Sequence, residues 1–255
     1  MKKYCFVLLT LILFLTCNNF TSLASSGLLP DLRTVVPQHL QLVNDHQREI
    51  LRFSNAIANT GDGPWRMRAE FPLNDISQPQ KAIQEILDAS GNVVEEKEVS
   101  QFQFHPEHNH WHIKGVALFE VRSGGPNGPV FGGNSIKTTF CLIDWYKLED
   151  NSPTKERTYF DCNRTYQGIS VGWADQYHQS TEGQQLDITG APEGRYYLVS
   201  TSNHEGVFIE KNYTNNTAWV AFDLTRDSKG NPKITVVDHS YCESVGSCGD
   251  NAPNR

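Results

Sequence analysis

The sequence predicts an all-β protein with a β-sandwich-like core, long loops and a single domain after a signal peptide. Residues 65–71 alternate between apolar and polar side chains, which is the period of a half-buried strand. Twelve prolines and nineteen glycines are spread over the 255 residues and favour many turns over long helices. Short strands separated by turns are typical of a β-sandwich.

Further strands and turns follow from the same patterns. Residues 82–87 and 93–94, joined by Ser90-Gly91-Asn92, predict a hairpin. The glycine-rich segments 123–128 and 132–134 predict loops. We expect the remaining strands at 138–143, 185–188, 196–202, 218–224 and 234–237.

The N-terminus has the pattern of a signal peptide. Two lysines precede an apolar run over 5–15, which is shorter than the about 20 residues that a membrane span needs. Ser22 and Ala24 have the spacing that signal peptidase accepts, so we expect cleavage after Ala24 and a secreted, extracytoplasmic protein. Lipoprotein anchoring at Cys17 is a weaker alternative, because residues 14–16 fit a lipobox poorly.

The predicted organisation is therefore a signal peptide over 1–24, a domain over 25–240 and a C-terminal tail over 241–255. The full chain has 29 acidic and 22 basic residues and a net charge of −7. Removing residues 1–24 takes away two lysines and no acidic residue, which leaves −9. This balance argues against a nucleic-acid partner, and no stable membrane insertion is expected.

Four cysteines remain after cleavage, and an exported protein meets an oxidising environment. They allow three pairings, of which we favour Cys141–Cys162 and Cys242–Cys248 because these close the shortest loops. The tail is thus expected to carry a small disulfide loop. No Cys-x-x-Cys pair is present, so a zinc site built on these cysteines is disfavoured.

Four histidines lie within eight residues, and His108, His110 and His112 form a His-x-His-x-His pattern. We expect them on one face of a strand that continues to Val121, since side chains alternate along a strand. Three imidazoles on one face suit copper or zinc and leave coordination positions open. A row of solvent-facing histidines is the alternative without a metal.

The spacing restricts how such a metal site can form. The Cα atoms of His108 and His112 are about 13 Å apart on a regular strand. All three imidazoles can reach one ion only if the strand bends, twists or bulges there. Otherwise a ligand comes from elsewhere, and His178 is the candidate.

The segment His108-Asn109-His110-Trp111-His112 resembles the copper-binding stretch of lysyl oxidases, His-x-His-aromatic-His. More segments match that family in the same order, from about Leu29 to Leu224. They are Leu29-Pro30-Asp31-Leu32, Leu51-Arg52-Phe53, residues 137–144, 167–170 with 175–177, 186–189 with 192–196, and Asn212-Tyr213-Thr214-Asn215-Asn216. The ordered set is more specific than any one of its members.

This resemblance implies a copper-dependent amine oxidase similar to protein-lysine 6-oxidase. By position, His108, His110 and His112 would hold Cu(2+), while Lys137 and Tyr177 would form the lysine tyrosylquinone cofactor. The implied reaction converts a primary amine, O2 and water into an aldehyde, NH3 and H2O2. The amine would be a protein lysine, a peptide or a small amine.

One catalytic role is inferred from the residues themselves. Asp175 lies two positions before Tyr177 and shares its face if the segment is extended, so it is our candidate for the general base. A loop aspartate that accepts turn amides is the alternative role. The chain also departs from the animal pattern, with Glu107 and Trp173 at positions where a cysteine is expected.

Two other functions stay open at this point. The first is a non-catalytic copper-binding β-sandwich module for metal handling or surface adhesion. The second is a zinc hydrolase that uses the three histidines, with Glu107 or Asp144 as base.

Overall fold

The structure, a computed structural model, describes residues 26–70, 76–134 and 139–254. The predicted signal peptide over 1–24 and the candidate cofactor residue Lys137 lie outside the described residues. Among the residues it describes, no helix is long and apolar enough to cross a membrane.

The described part of the chain is almost entirely β-structure, as the sequence predicts. Its elements are β1 (Leu32–Thr34), β2 (Gln38–Asp45), β3 (Arg48–Asn59), β4 (Trp65–Ala69), β5 (Gln80–Leu87), β6 (Val93–His105), β7 (His110–Ile113), β8 (Ala117–Ser123), β9 (Val130–Asn134), β10 (Tyr146–Lys147), β11 (Gln167–Ile169), β12 (Trp173–Tyr177), β13 (Gln185–Asp187), β14 (Gly194–Ser202), β15 (Thr217–Arg226), β16 (Pro232–His239) and the one-turn helix α1 (Val245–Cys248).

These strands form three antiparallel sheets. The first has the order β1-β3-β12-β10, with β2 and β13 also paired to β3. The second is β11-β4-β5-β6-β7, and the third is β16-β15-β14-β8-β9. The apolar faces of the sheets meet in one core, where Phe53 packs edge-on against Phe119 and Trp65 packs edge-on against Phe208. The predicted all-β, sandwich-like fold of one domain is confirmed, while the boundaries at 25 and 240 stay predictions.

Most of the predicted strands are present, and two segments differ. The predicted hairpin is β5 and β6, with Gly91 in the left-handed conformation at φ 82°. Residues 139–143 are not a strand: within them only Phe140 forms a bridge, to Ile113. The predicted loop at 132–134 is instead the end of β9. Residue Phe140 pairs far along the chain with Ile113, whereas β9 pairs with the preceding strand β8. In both segments this pairing overrides local composition.

Both predicted disulfides are confirmed. Cys141 is bonded to Cys162 and Cys242 to Cys248. The second bond closes a small loop in the tail, which packs on the body of the protein. There the Gly246 amide donates to Glu149, and the Gln38 side chain donates to the Cys248 carbonyl.

A buried carboxylate fixes the long loop between β10 and β11. The side chain of Asp144 is fully buried and accepts hydrogen bonds from the amides of Thr158, Tyr159 and Ser170. It also accepts from the Ser170 hydroxyl at 2.8 Å. Because these donors would otherwise be buried without an acceptor, Asp144 stabilises a region that has few strand pairings.

We expect Asp144→Ala to lower the free energy of unfolding by roughly 3–5 kcal/mol, since it leaves several buried donors without an acceptor. Urea unfolding of the disulfide-intact protein measures this change. Asp150→Ala removes an exposed aspartate from the same region and serves as the control. A loss at Asp144 no larger than that at Asp150 would contradict the anchoring role.

Candidate metal centre

A tight hairpin between β6 and β7 brings the histidines together. His105 is paired with His110, and the turn of four residues between them has Asn109 at φ 54°. In this turn the His108 amide donates to the His105 carbonyl at 3.2 Å. Asparagine tolerates the left-handed conformation better than most residues, which explains its place here. The turn folds His108 back toward the strand that carries His110 and His112.

The expected continuous strand from His108 to Val121 is therefore wrong. Strand β7 covers His110–Ile113 alone, and a second turn with Gly115 at φ 74° precedes β8. Convergence of the three imidazoles requires a bend in the chain, and the turn at Asn109 provides it.

The three histidines of the motif converge. One ring nitrogen from each of His108, His110 and His112 lies within 4.8 Å of the others. The Nε2 atoms of His110 and His112 are 2.8 Å apart. His112 is buried and its Nδ1 lies 3.1 Å from the Thr139 hydroxyl, whereas His108 and His110 are half-buried. Convergence of three imidazole nitrogens is the arrangement that a borderline-soft metal ion requires.

Two further histidines have distinct positions. His105 stacks on His108 with ring centroids 4.5 Å apart and on His112 at 4.9 Å, so it forms one wall of the cluster. His178, the predicted substitute ligand, lies elsewhere: its ring is 5.4 Å from that of His39, and it contacts Ser180 and Asn254. The motif histidines thus meet without His178.

Tyr177 lies next to this cluster, at the end of β12. Its ring stands perpendicular to the His112 ring, with centroids 6.3 Å apart, and 4.1 Å from the Phe140 ring. The Cys141 amide donates to the phenol oxygen at 2.8 Å. Burial, with a smaller contribution from Asp175, raises the pKa of Tyr177 well above its usual value. The side chain is therefore a neutral phenol at physiological pH when no metal is bound.

A pocket of about 240 Å³ opens in front of the phenol. It is lined by two of the cluster histidines, one disulfide, three residues of β12 and three other residues: His108, His110, Cys141, Ile143, Trp145, Cys162, Asp175, Gln176, Tyr177 and Thr181. Asp175 is on β12 with Tyr177, is buried, and lines the same pocket. Asp175 and Tyr177 were predicted as site residues, whereas Trp145 and Thr181 were not, because they reach the pocket through tertiary packing.

The two acids considered for zinc-dependent hydrolysis have other surroundings. The Glu107 side chain is 65% exposed and its carboxylate lies 3.9 Å from Nδ1 of His105. The Asp144 carboxylate accepts hydrogen bonds from the backbone amides described above. Neither acid lines the pocket in front of Tyr177.

Known proteins are similar to this chain over most of this region. The family model for lysyl oxidase matches residues 80–231, a span that contains His108, His110, His112, Asp175 and Tyr177. Lysyl oxidase homolog 3 of Homo sapiens is 32% identical over 170 residues, which are 66% of this chain and 18% of that protein. Lysyl oxidase homolog 2A of Danio rerio is 26% identical over 175 residues, 68% of this chain and 19% of that protein.

Protein-lysine 6-oxidase of Homo sapiens is 28% identical over 116 residues, which are 45% of this chain and 26% of that protein. The matches thus span about a fifth to a quarter of the length of these relatives. The family model nevertheless covers more than half of the present chain, including the histidine hairpin and β12. On this evidence the chain belongs to the lysyl oxidase family.

Proposed function

We propose that this protein is a secreted, copper-dependent amine oxidase of the protein-lysine 6-oxidase type. It converts a primary amine, O2 and water into an aldehyde, NH3 and H2O2. The observation that carries the proposal is the placement of the Tyr177 phenol beside three convergent imidazoles. Neither element alone would favour an oxidase over a metal-binding module.

His108, His110 and His112 are the proposed ligands of Cu(2+). Imidazole is a good ligand for copper, and a site with three of them keeps positions open for water or O2. When bound, copper supplies the one-electron chemistry needed to activate O2 next to an oxidisable ring. His112 is held for this role by its contact with Thr139, and His105 packs against the ligand rings.

Tyr177 and Lys137 are the proposed source of lysine tyrosylquinone, the group that would accept electrons from the amine. The phenol is held in place by the Cys141 amide and by the Phe140 ring. Lys137 precedes Thr139 by two residues, and the chain at Thr139 contacts His112. A lysine suits this position because its amine can lose a proton and act as a nucleophile, which arginine cannot do.

Asp175 is the proposed general base that removes a proton from the carbon next to the substrate nitrogen. Its carboxylate lines the pocket in front of Tyr177 and is buried. A carboxylate at this place can accept a proton from a bound substrate. The Cys141–Cys162 disulfide and Ile143 also line this pocket.

Replacing any one of His108, His110 and His112 by alanine should weaken Cu(2+) binding by roughly 100-fold, because each supplies one of three ligands. Competition with a chromophoric chelator measures the affinity. His46→Ala is the matched control, since that side chain is 95% exposed and distant in sequence from the hairpin. Unchanged affinity in a motif variant would show that the copper site lies elsewhere.

Tyr177→Phe should abolish peroxide release and labelling by phenylhydrazine while leaving copper bound, because the ring hydroxyl is needed to form a carbonyl. Tyr241→Phe, at a side chain that is 88% exposed, should change neither. Peptide mapping of the copper-loaded protein should find a Lys137–Tyr177 crosslink only in chains with Tyr177. Oxidase activity that survives in the Tyr177→Phe variant would rule out the quinone mechanism.

The same assay separates the competing functions. Copper binding with neither phenylhydrazine labelling nor peroxide release in the unmodified chain would favour the non-catalytic copper module. Zinc retained through purification, with hydrolytic activity and no peroxide release, would favour the hydrolase.

Asp175→Asn should lower kcat on the order of 100-fold with a smaller change in KM, because an amide cannot accept the substrate proton. Phenylhydrazine labelling should persist, which shows that the cofactor still forms. A deuterium isotope effect with an α-deuterated amine should increase as proton removal becomes rate-limiting. Asp238→Asn on the exposed strand β16 is the control. An unchanged kcat in Asp175→Asn would assign proton removal to another group.

A further inference from the structure

One wall of the pocket in front of Tyr177 is apolar. Along residues 142–146 burial alternates: Leu142, Asp144 and Tyr146 are buried, whereas Ile143 and Trp145 are half-buried and line the pocket. The Trp145 amide donates to the Ala174 carbonyl at 3.0 Å, which fixes this residue against β12. A tryptophan held by the sheet provides a large apolar surface at little cost in conformational entropy.

The polar part of the lining carries one carboxylate. Asp175, Gln176, Tyr177 and Thr181 line it, and among the described lining residues Asp175 is the only acidic one. This carboxylate lines the pocket together with the Tyr177 phenol, where the proposed reaction takes place. A second ammonium group on the same substrate would therefore find no second carboxylate among the lining residues.

Acidic side chains are present nearby, but in a different hollow. Glu107 and Glu182 are exposed and line a depression with His105, His108 and Thr139. Neither glutamate lines the pocket at Tyr177. The two hollows share His108, so a variant of Glu182 tests the acidic hollow while leaving the apolar wall intact.

We infer that the preferred substrate is a primary monoamine with an apolar alkyl or arylalkyl tail, and that Trp145 and Ile143 are its specificity-determining residues. The amino group lies at Asp175 and Tyr177, and the tail lies along Trp145. Burying an apolar tail against these side chains is favourable, whereas burying a second ammonium there costs desolvation without a partner. The inference rests on the proposed function for its reaction, but the binding preference is measured independently of catalysis.

The decisive measurement is the dissociation constant of 2-phenylethylamine and of cadaverine for the metal-free protein, by ligand-observed NMR. The unmodified chain should bind 2-phenylethylamine roughly tenfold more tightly than cadaverine, which corresponds to about 1.4 kcal/mol. Trp145→Ala should remove this preference, Trp145→Phe should retain most of it, and Glu182→Gln should leave it unchanged. Where Trp145→Ala fails to fold, Ile143→Asn on the same wall provides the test.

Cadaverine binding as tightly as 2-phenylethylamine, or a preference that survives Trp145→Ala and Ile143→Asn, would overturn the inference. Loss of cadaverine binding in Glu182→Gln, without an apolar preference, would assign recognition to the acidic hollow. Peroxide release from the copper-loaded protein tests the oxidase function separately. In an active enzyme, Trp145→Ala should lower kcat/KM roughly tenfold for 2-phenylethylamine, mainly through KM, whereas Glu182→Gln should leave it unchanged.

Discussion

The site depends on a short bridge between Ile113 and Phe140. The Ile113 amide donates to the Phe140 carbonyl at 2.7 Å, and the Phe140 amide donates to the Ile113 carbonyl at 3.1 Å. This pair of bonds holds the segment after Lys137 against the end of the histidine hairpin. On one side of the bridge Thr139 contacts His112, and on the other the Cys141 amide holds the Tyr177 phenol. The three motif histidines and Tyr177 therefore share one anchor.

The bridge also explains why local sequence patterns failed at this point. Residues 138–143 are rich in β-branched and apolar side chains, which predict a strand. Within residues 139–143 only the bridge to Ile113 forms, because other backbone groups bond to side chains: the Leu142 amide donates to the Gln167 side chain in β11. Such partners lie more than twenty residues away, and periodicity contains no information about them. Strands β4, β5 and β14 were predictable because each alternates or runs apolar between clear turns.

The site itself was predictable in part. The spacing of His108, His110 and His112 predicted a metal site, and a straight strand would separate the Cα atoms of His108 and His112 by about 13 Å. The observed turn has Asn109 in the left-handed conformation, and it could not be predicted without knowing that His105 pairs with His110. Tyr177 and Lys137 came from the family resemblance, since neither residue is unusual in isolation. Trp145 had no local signal, because its contribution arises only where the loop packs beside β12.

A site placed on loops needs anchors that replace strand pairing, and this chain uses two of them. The Cys141–Cys162 bond constrains the loop between β9 and β11. It stabilises the fold by lowering the conformational entropy of the unfolded chain, by about 3 kcal/mol for a loop of this size. The Asp144 carboxylate accepts hydrogen bonds from the amides of Thr158, within that loop, and of Ser170, which follows it. The disulfide sulfurs lie within 4.8 Å of a His110 ring nitrogen, so the covalent anchor stands directly at the proposed metal centre. Few crosslinks are needed to hold the segment that contacts Tyr177, because a buried carboxylate and one disulfide both fix it.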